Sequence, residues 1–243
     1  MKKSKGIILF VFLLTFIQSL LYLNTLQYSF GFLHGVPFFN SNQFELKLLL
    51  YWFLPIVGLS FYFSGYIKDV LRTYGEMILL RNYSKVKWII KRYFNMVIIV
   101  TIFTVSQISV SYIVSSLGGH YHFVGVIEFL KLIIAYYLFL VTIFTIQLFL
   151  ELYVSPQVSQ MMVSIYIVLS IILTKQLFSL KIPGIVYYIL LPTLGMGLRN
   201  GVSSVLNDQP KIINFWTGVF ILLIIKGIVI YFSVVRLKKM DIV

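Results

Sequence analysis

Long apolar runs, separated by short polar segments, follow one another through almost the whole sequence. A helix of about 20 apolar residues can cross the hydrocarbon core of a bilayer, because each residue advances the helix by about 1.5 Å. The residues are 60% hydrophobic and 11% charged, and the mean hydropathy is +0.96. These values lie far outside the range of soluble globular domains. The sequence therefore predicts an all-α polytopic membrane protein.

Six of these runs are predicted to cross the membrane, within a single transmembrane domain that covers 1–243. Their approximate limits are 6–26, 48–67, 93–117, 129–150, 158–174 and 212–235. A cleaved signal peptide is the alternative for the first run, but the run is longer than the apolar core of a signal peptide. No small-x-small cleavage site follows it either. We therefore interpret the first run as the first span.

The segment 182–208 decides between six and seven spans. Its apolar part is short for a spanning helix, contains Pro183 and Pro192, and runs into a glycine-rich stretch. A seventh span would place the basic C-terminal cluster at 236–239 outside the cell, against the positive-inside rule. The sequence therefore predicts a broken, re-entrant hairpin at the outer surface, between spans five and six.

The distribution of basic residues predicts the orientation. With six spans, 13 of the 20 Lys and Arg residues fall on one side, six fall on the other, and Lys226 lies within the last span. Both termini are therefore predicted to be cytoplasmic, with the chain in the cell membrane. A formal net charge of +13 would indicate nucleic-acid binding in a soluble chain. Here the basic residues flank apolar runs and set topology, so we expect no nucleic-acid partner.

The segment 68–92 is a long polar interruption on the predicted inner side. It carries seven of the 20 Lys and Arg residues against two acids, Asp69 and Glu76. As far as Ile78, apolar and charged residues alternate at helical spacing, which predicts an amphipathic helix. Ser84 is a candidate N-cap for the following helix. Two interpretations stay open here: a basic loop that lies on anionic lipid, or a surface that docks a soluble protein.

The sequence contains no catalytic motif that we can identify. It has neither the phosphate-binding loop of P-loop ATPases nor an H-E-x-x-H zinc motif. All seven acids lie at or beyond the predicted span ends, which disfavours ion-coupled transport through paired intramembrane carboxylates. The chain has no cysteine, and His120 and His122 have no neighbours that would complete a metal site. We therefore expect no catalytic residue, no metal and no ATPase activity in this chain.

Several features together resemble the ABC-2 type permeases. They are the six spans, the inner loop with the sequence YGEMILLRNYSKVKW, a Ser-Pro turn before span five, the broken outer segment and the basic tail. More narrowly, the chain is similar to small Gram-positive permeases that export membrane-active peptides or give immunity to them. The resemblance covers essentially the whole chain, and the inner loop is its most specific part.

The resemblance implies that the inner loop forms a coupling helix that inserts into a groove of a separate ATPase subunit. The coupling positions that it implies are Tyr74, Gly75, Glu76, Met77 and Arg81. Few residues precede the first span, so the long amphipathic N-terminal helix of many ABC-2 permeases is expected to be missing or fused to that span. One main coupling contact is then expected, with the turn at Ser155 and Pro156 as a second.

By this resemblance the chain is expected to be the permease subunit of an ATP-driven exporter. Its partners would be a second permease chain, identical or related, and two ATPase chains that bind ATP and Mg²⁺. The spans are rich in Phe and Tyr and nearly free of charge, which favours an amphipathic or hydrophobic peptide as cargo. Lipid or a hydrophobic drug is an alternative cargo. A non-transporting membrane anchor or sensor that recruits a cytoplasmic partner is the alternative from another functional class.

Lys226 is the one basic residue placed deep within a predicted span. It precedes Arg236 by about ten residues, which places it on the order of 15 Å from the inner surface. Insertion scales give a central lysine a cost of about 2.5 to 3.5 kcal/mol, so it should face a wet cavity, a partner chain or polar groups. We therefore predict that Lys226 lines the substrate path, with Gln107 as a further candidate. The alternative is a lysine that bonds to a carbonyl or to Gln107 and only fixes its helix.

Overall fold

A computed structural model describes residues 2–26, 29–38, 46–71, 84–118, 125–206 and 209–240. These residues form helices, turns and irregular segments, without a β-strand among them. The long helices are α1 (Lys2–Leu26), α2 (Leu46–Phe63), α3 (Lys85–Leu117), α4 (Val126–Leu150), α5 (Pro156–Ser179) and α6 (Phe215–Lys239). Shorter helical pieces are Gly31–His34, the 3₁₀ helix Gly184–Ile189 and Leu191–Leu194. The prediction of an all-α protein is confirmed.

Five helices are long and apolar enough to cross a bilayer: α2 with its continuation to Leu71, and α3 to α6. Within α1, the part whose side chains are described is the apolar stretch Leu9–Asn24, and this part is shorter than a full span. The protein is therefore membrane-embedded. The sixth span, formed by α1, stays a prediction.

One helix start lies where the sequence places it, and another lies two residues before the predicted span at 158–174. Ser84 occupies the N-cap position of α3 in an extended conformation, although its side chain makes no capping hydrogen bond. Consequently α3 begins eight residues before the predicted span at 93–117 and is 33 residues long. Pro156 occupies the first turn of α5, and the Ser155 hydroxyl accepts a hydrogen bond from the backbone N–H of Val158 at 3.4 Å. Proline suits this position because the first helical N–H needs no partner within the helix.

Helix α4 lies at the centre of the bundle. Of its most apolar 18 residues, 67% are buried within the chain, against 17% for α6. Trp52 of α2 stacks on Phe139 of α4 with ring centroids 5.5 Å apart, and its indole N–H donates to the carbonyl of Phe32 at 2.9 Å. The indole thus joins the core to the segment after α1. By contrast, α6 leaves a broad apolar face for lipid or another chain.

A buried polar network connects α1, α2, α3 and α4. The Gln18 amide donates to the carbonyl of Tyr51 at 2.7 Å, and the Gln107 amide donates to the Gln18 side-chain oxygen at 2.6 Å. The Tyr136 hydroxyl completes the network by donating to the Gln107 oxygen at 3.1 Å. Such bonds between membrane helices are worth about 0.6 to 2 kcal/mol each. They therefore favour one relative placement of these four helices.

One end of the bundle, called the basic end below, gathers the turn after α2, the start of α3, the turn between α4 and α5 and the last turn of α6. The opposite end gathers residues 29–38, the start of α4 and the chain at 180–206 and 209–214. Successive long helices therefore run up and down between the two ends. The charge rule predicts that the basic end is cytoplasmic.

The chain at 182–206 is a broken segment, as predicted, and its longest helical piece has six residues. Tyr166 of α5 anchors this segment, because its hydroxyl donates to the carbonyl of Ile189 at 2.7 Å and accepts from the N–H of Leu191 at 3.0 Å. Whether the segment re-enters the bilayer stays a prediction.

Arg199 holds the broken segment against the chain that follows α1. Its side chain is 1% exposed, and it donates to the carbonyl of Val36 at 2.5 Å and to the side-chain oxygen of Gln209 at 3.2 Å. The guanidinium lies over the ring of Phe38, with 3.2 Å from its carbon to the ring centroid. Its planar shape suits this combination of stacking and hydrogen bonding, which lysine could not reproduce.

The orientation can be tested with single cysteines, since the natural sequence has none. A membrane-impermeant maleimide is expected to label Asn207→Cys in intact cells, because the opposite end should face outward. Ser84→Cys and Met240→Cys should react only after the cells are opened. Labelling of Met240→Cys in intact cells would contradict six spans with both termini inside.

Candidate functional site

The basic end is the candidate functional site, because the inner segment at 68–92 leaves and rejoins the helices there. The described residues at this end carry many positive charges and two acids, Asp69 and Glu151. The basic residues are Lys68, Lys85, Lys87, Lys91, Arg92, Arg236, Lys238 and Lys239. The structure describes the two junctions of the inner segment with the bundle, at 64–71 and from Ser84 onward.

The predicted coupling positions belong to the part of the segment between these junctions. Tyr74, Gly75, Glu76, Met77 and Arg81 lie outside the described residues, so their roles stay predictions. Residues 68–71 are helical, which is the beginning of the predicted amphipathic helix. The structure shows how the described ends of the segment are attached to the membrane-spanning helices.

Glu151 makes the first attachment. One carboxylate oxygen accepts a hydrogen bond from the backbone N–H of Gly65 at 2.9 Å, and the other accepts from the N–H of Ile67 at 3.0 Å and of Lys68 at 3.4 Å. The Glu151 side chain is 1% exposed. Backbone N–H groups that converge on one carboxylate in this way form a binding site for an anion. The carboxylate is therefore satisfied by backbone donors from another part of the chain.

A glycine makes this turn possible. Gly65 has φ of +82°, a left-handed conformation that side chains rarely adopt, and a Cβ there would overlap the carboxylate of Asp69. The turn from Ser64 to Ile67 can therefore direct its N–H groups towards Glu151 while the chain bends into the helical residues that follow.

Burial raises the pKa of the Glu151 carboxyl above its ordinary value, the three backbone N–H donors oppose this effect, and nearby Asp69 adds to it. Glu151 also follows the last residue of α4, where the helix dipole disfavours negative charge. Its stabilisation thus depends on the N–H groups at 65–68. The turn at 65–68 and the end of the central helix are thus directly hydrogen-bonded to each other.

Further hydrogen bonds join the same junction to the turn between α4 and α5, and join the neighbouring helix ends to one another. The Lys68 ammonium donates to the carbonyl of Val154 at 3.0 Å. One turn inside, Gln147 of α4 exchanges two hydrogen bonds with Ser60 of α2, accepting from its hydroxyl at 2.8 Å and donating to its carbonyl at 2.9 Å. The Ser159 hydroxyl of α5 donates to the carbonyl of Gln147 at 2.7 Å. The first junction is therefore fixed to the residues that follow α4, in a region where α2, α4 and α5 are hydrogen-bonded to one another.

The second junction is joined mainly to α6. The Lys85 ammonium donates to the carbonyl of Met240 at 2.8 Å, and the hydroxyls of Tyr93 and Ser233 are hydrogen-bonded at 2.6 Å. Arg92 lies over the ring of Trp88 at 5.2 Å. The two junctions thus hold different helices, so displacement of the inner segment acts on both groups.

Lys226 and Gln107 are not brought together. Gln107 is completely buried in the network with Gln18 and Tyr136, while Lys226 is partly exposed on α6. An apolar cavity of about 700 Å³ lies between α4, α5, α6 and the residues from Ile185 to Leu191, and neither residue lines it. Their assignment to a substrate path stays a prediction, and they do not form one site.

Glu151 is the functional residue that sequence reasoning missed, since it was treated only as one of seven acids at span ends. The sequence does contain a signal that identifies Glu151 as unusual. An acid just after an apolar helix, in the turn 151–157 that contains no Lys or Arg, lies at an unfavourable end of the helix dipole. Such an acid must find donors from a distant part of the chain.

Within the described residues, no three His, Asp or Glu side chains cluster as a metal site would require. His120 and His122 lie outside those residues.

A family model described as "Protein of unknown function (DUF2705)" matches residues 6–243. Among curated proteins, the "Uncharacterized protein YybK" of Bacillus subtilis (strain 168) is 36% identical over 242 residues, which cover 98% of this chain and 96% of that protein. No solved structure matches the chain significantly. The residues matched by the family model and by the B. subtilis protein include both junctions at the basic end.

Proposed function

The chain belongs to the family described as "Protein of unknown function (DUF2705)", and within that family we propose that it is the membrane-spanning permease subunit of an ATP-driven ABC exporter. ATP and Mg²⁺ would be bound by a separate pair of ATPase chains. The inner segment at 68–92, with Tyr74 to Arg81 at its tip, would dock on the ATPase.

The buried attachment of Glu151 to the turn at 65–68 is the observation that carries the proposal. A loop that only lies on anionic lipid is held by exposed basic side chains and needs no buried carboxylate at its base. A coupling segment must transmit force, and the two junctions here join it to the end of α4 and the turn before α5 on one side and, through the start of α3, to α6 on the other. This arrangement supports a mechanical role.

A second permease chain would complete the transporter. In support, only 17% of the most apolar 18 residues of α6 are buried within this chain. Large side chains are exposed along its length, including Phe220, Ile224, Ile228, Tyr231 and Phe232. Lipid would cover part of this face, and a second identical or related chain would cover the rest.

The proposed cargo is an amphipathic or hydrophobic peptide, with a lipid or a hydrophobic drug as the alternative. Two observations support an apolar cargo: the scarcity of charge within the spans, and the apolar lining of the cavity between α4, α5 and α6. The proposed location is the cell membrane, with both termini cytoplasmic and transport directed outward.

The proposal is tested by isolating the chain from native membranes in mild detergent and measuring ATP hydrolysis in the purified complex. An ATPase subunit is expected to co-purify, and its activity should rise when an amphipathic peptide is added. A matched variant, with residues 74–81 replaced by Gly and Ser, should insert normally but lose the ATPase subunit.

The same experiment separates the alternative function. A membrane anchor or sensor would retain a cytoplasmic partner through this loop without any effect on ATP hydrolysis. Finding such a partner, with no ATPase subunit in the complex, would contradict the permease proposal.

A further inference from the structure

A second cavity, of about 690 Å³, lies at the end of the bundle opposite to the basic end. It is bounded by the start of α4, the turn at 200–202 and the chain that enters α6. Its polar lining residues are Glu128, Lys131, Asn200, Lys211 and Asn214. None of the functions considered above uses these residues.

The charges of this cavity are not balanced within the described part of the chain. Both oxygens of Glu128 accept hydrogen bonds from Ser204, from its backbone N–H at 2.7 Å and from its hydroxyl at 3.0 and 2.9 Å. Lys131 and Lys211 make no ion pair with a described carboxylate, although Glu128 lines the same cavity. The ammonium groups of Lys131 and Lys211 are therefore available to bind a ligand.

Asn200 is a buried polar residue of the turn that lines the cavity. Its side chain is 2% exposed, and its oxygen accepts from the N–H of Val202 at 3.1 Å. The amide nitrogen of Asn200 has no hydrogen-bond partner among the described residues. A buried donor without a partner costs about 1 to 3 kcal/mol, but this nitrogen has almost no accessible surface, so it is not among the groups that meet a ligand in the cavity.

The positions of these groups are fixed by their surroundings. Gly201 has φ of +67°, and the aliphatic stem of Lys211 lies against it where a Cβ would otherwise project. The carbonyl of Arg199 accepts from the N–H groups of Ile212 and Ile213 at 3.0 and 3.2 Å. The chain that bears Lys211 is thus tied to the turn that bears Asn200.

We propose that this cavity binds a phosphate group. Two ammonium groups, carried by two separate parts of the chain, can each bond a different oxygen of a tetrahedral anion. The cavity also lies among residues suited to a membrane interface, since Trp216 and Ile127 line it and are 68% and 72% exposed. The phosphate can belong to a lipid headgroup or to free phosphate in solution.

Isothermal titration calorimetry on the purified full-length chain in detergent tests the proposal with three probes. They are inorganic phosphate, dioctanoyl phosphatidylglycerol and dioctanoylglycerol, which has the same acyl chains without phosphate. Saturable binding is expected for a phosphate-bearing probe and not for dioctanoylglycerol. Binding of phosphatidylglycerol alone assigns the site to a lipid headgroup, and equal binding of inorganic phosphate assigns it to the free anion.

Variants connect the binding to this cavity. Lys131→Gln combined with Lys211→Gln should weaken binding about tenfold or more, because two charge-assisted contacts are lost. The exposed Lys47, which does not line the cavity, provides the control, and Lys47→Gln should bind like the parent. The proposal is overturned if no phosphate-bearing probe binds, if dioctanoylglycerol binds equally well, or if the double variant keeps the parent affinity.

Discussion

Glu151→Ala is expected to lower the free energy of unfolding by about 3 kcal/mol, because the buried backbone N–H groups of Gly65 and Ile67 and the partly buried N–H of Lys68 lose their acceptor. The loss should appear as a lower midpoint of thermal unfolding for the purified chain in detergent. In the proposed complex, ATP hydrolysis should also become insensitive to cargo, since the first junction is released from α4.

Two further variants make this result specific. Glu151→Gln keeps one oxygen as acceptor and should fall between the parent and Glu151→Ala. Glu128→Ala removes a partly exposed carboxylate at the opposite end and should change the unfolding midpoint much less. A thermal midpoint of Glu151→Ala equal to that of the parent would show that the turn at 65–68 does not depend on this carboxylate.

Glu76→Lys is expected to abolish coupled transport while leaving membrane insertion and folding intact. In the proposed complex the amphipathic helix buries Tyr74 and Met77 against the ATPase, and Glu76 meets basic or amide groups there. Reversing its charge replaces an attraction by a repulsion at that interface. Peptide export from vesicles and peptide-stimulated ATP hydrolysis should both fall to background.

Neutralising the basic residues of the same segment provides the contrast. If the segment only lies on anionic lipid, removing the charges at Lys85, Lys87, Lys91 and Arg92 should matter more than Glu76→Lys, at about 1 kcal/mol of surface attraction each. Docking on the ATPase predicts instead that Glu76→Lys has a larger effect than neutralising these four basic residues. Parental export and ATP hydrolysis in Glu76→Lys would refute the coupling assignment.

The sequence predicted the helices well, because the length and apolarity that define a span are local properties. The start of α3 after Ser84 followed from a capping preference that acts over a few residues. The break at 182–206 followed from its prolines and glycines. These features depend on neighbours along the chain, which a single sequence displays.

The arrangement around the candidate site could not be predicted in the same way. Glu151 is bonded to residues 83 to 86 positions away, and Arg199 to a carbonyl 163 positions away. Which distant segments meet depends on how the helices pack. The residue types at 65–68 do not indicate that their backbone N–H groups bind a carboxylate. The unfavourable position of Glu151 could be recognised, but its partners could not.

The buried network of Gln18, Gln107 and Tyr136 has a consequence for biosynthesis. Gln107 lies 89 residues after Gln18, and at about 5 to 20 residues per second a ribosome needs on the order of 4 to 18 s to add them. Until then the Gln18 amide has only the carbonyl of Tyr51 in α2 as partner within this network. An unpaired amide oxygen is costly in hydrocarbon. We therefore expect α1 and α2 to stay beside the insertion machinery until α3 and α4 arrive, and to enter the lipid as a group of four.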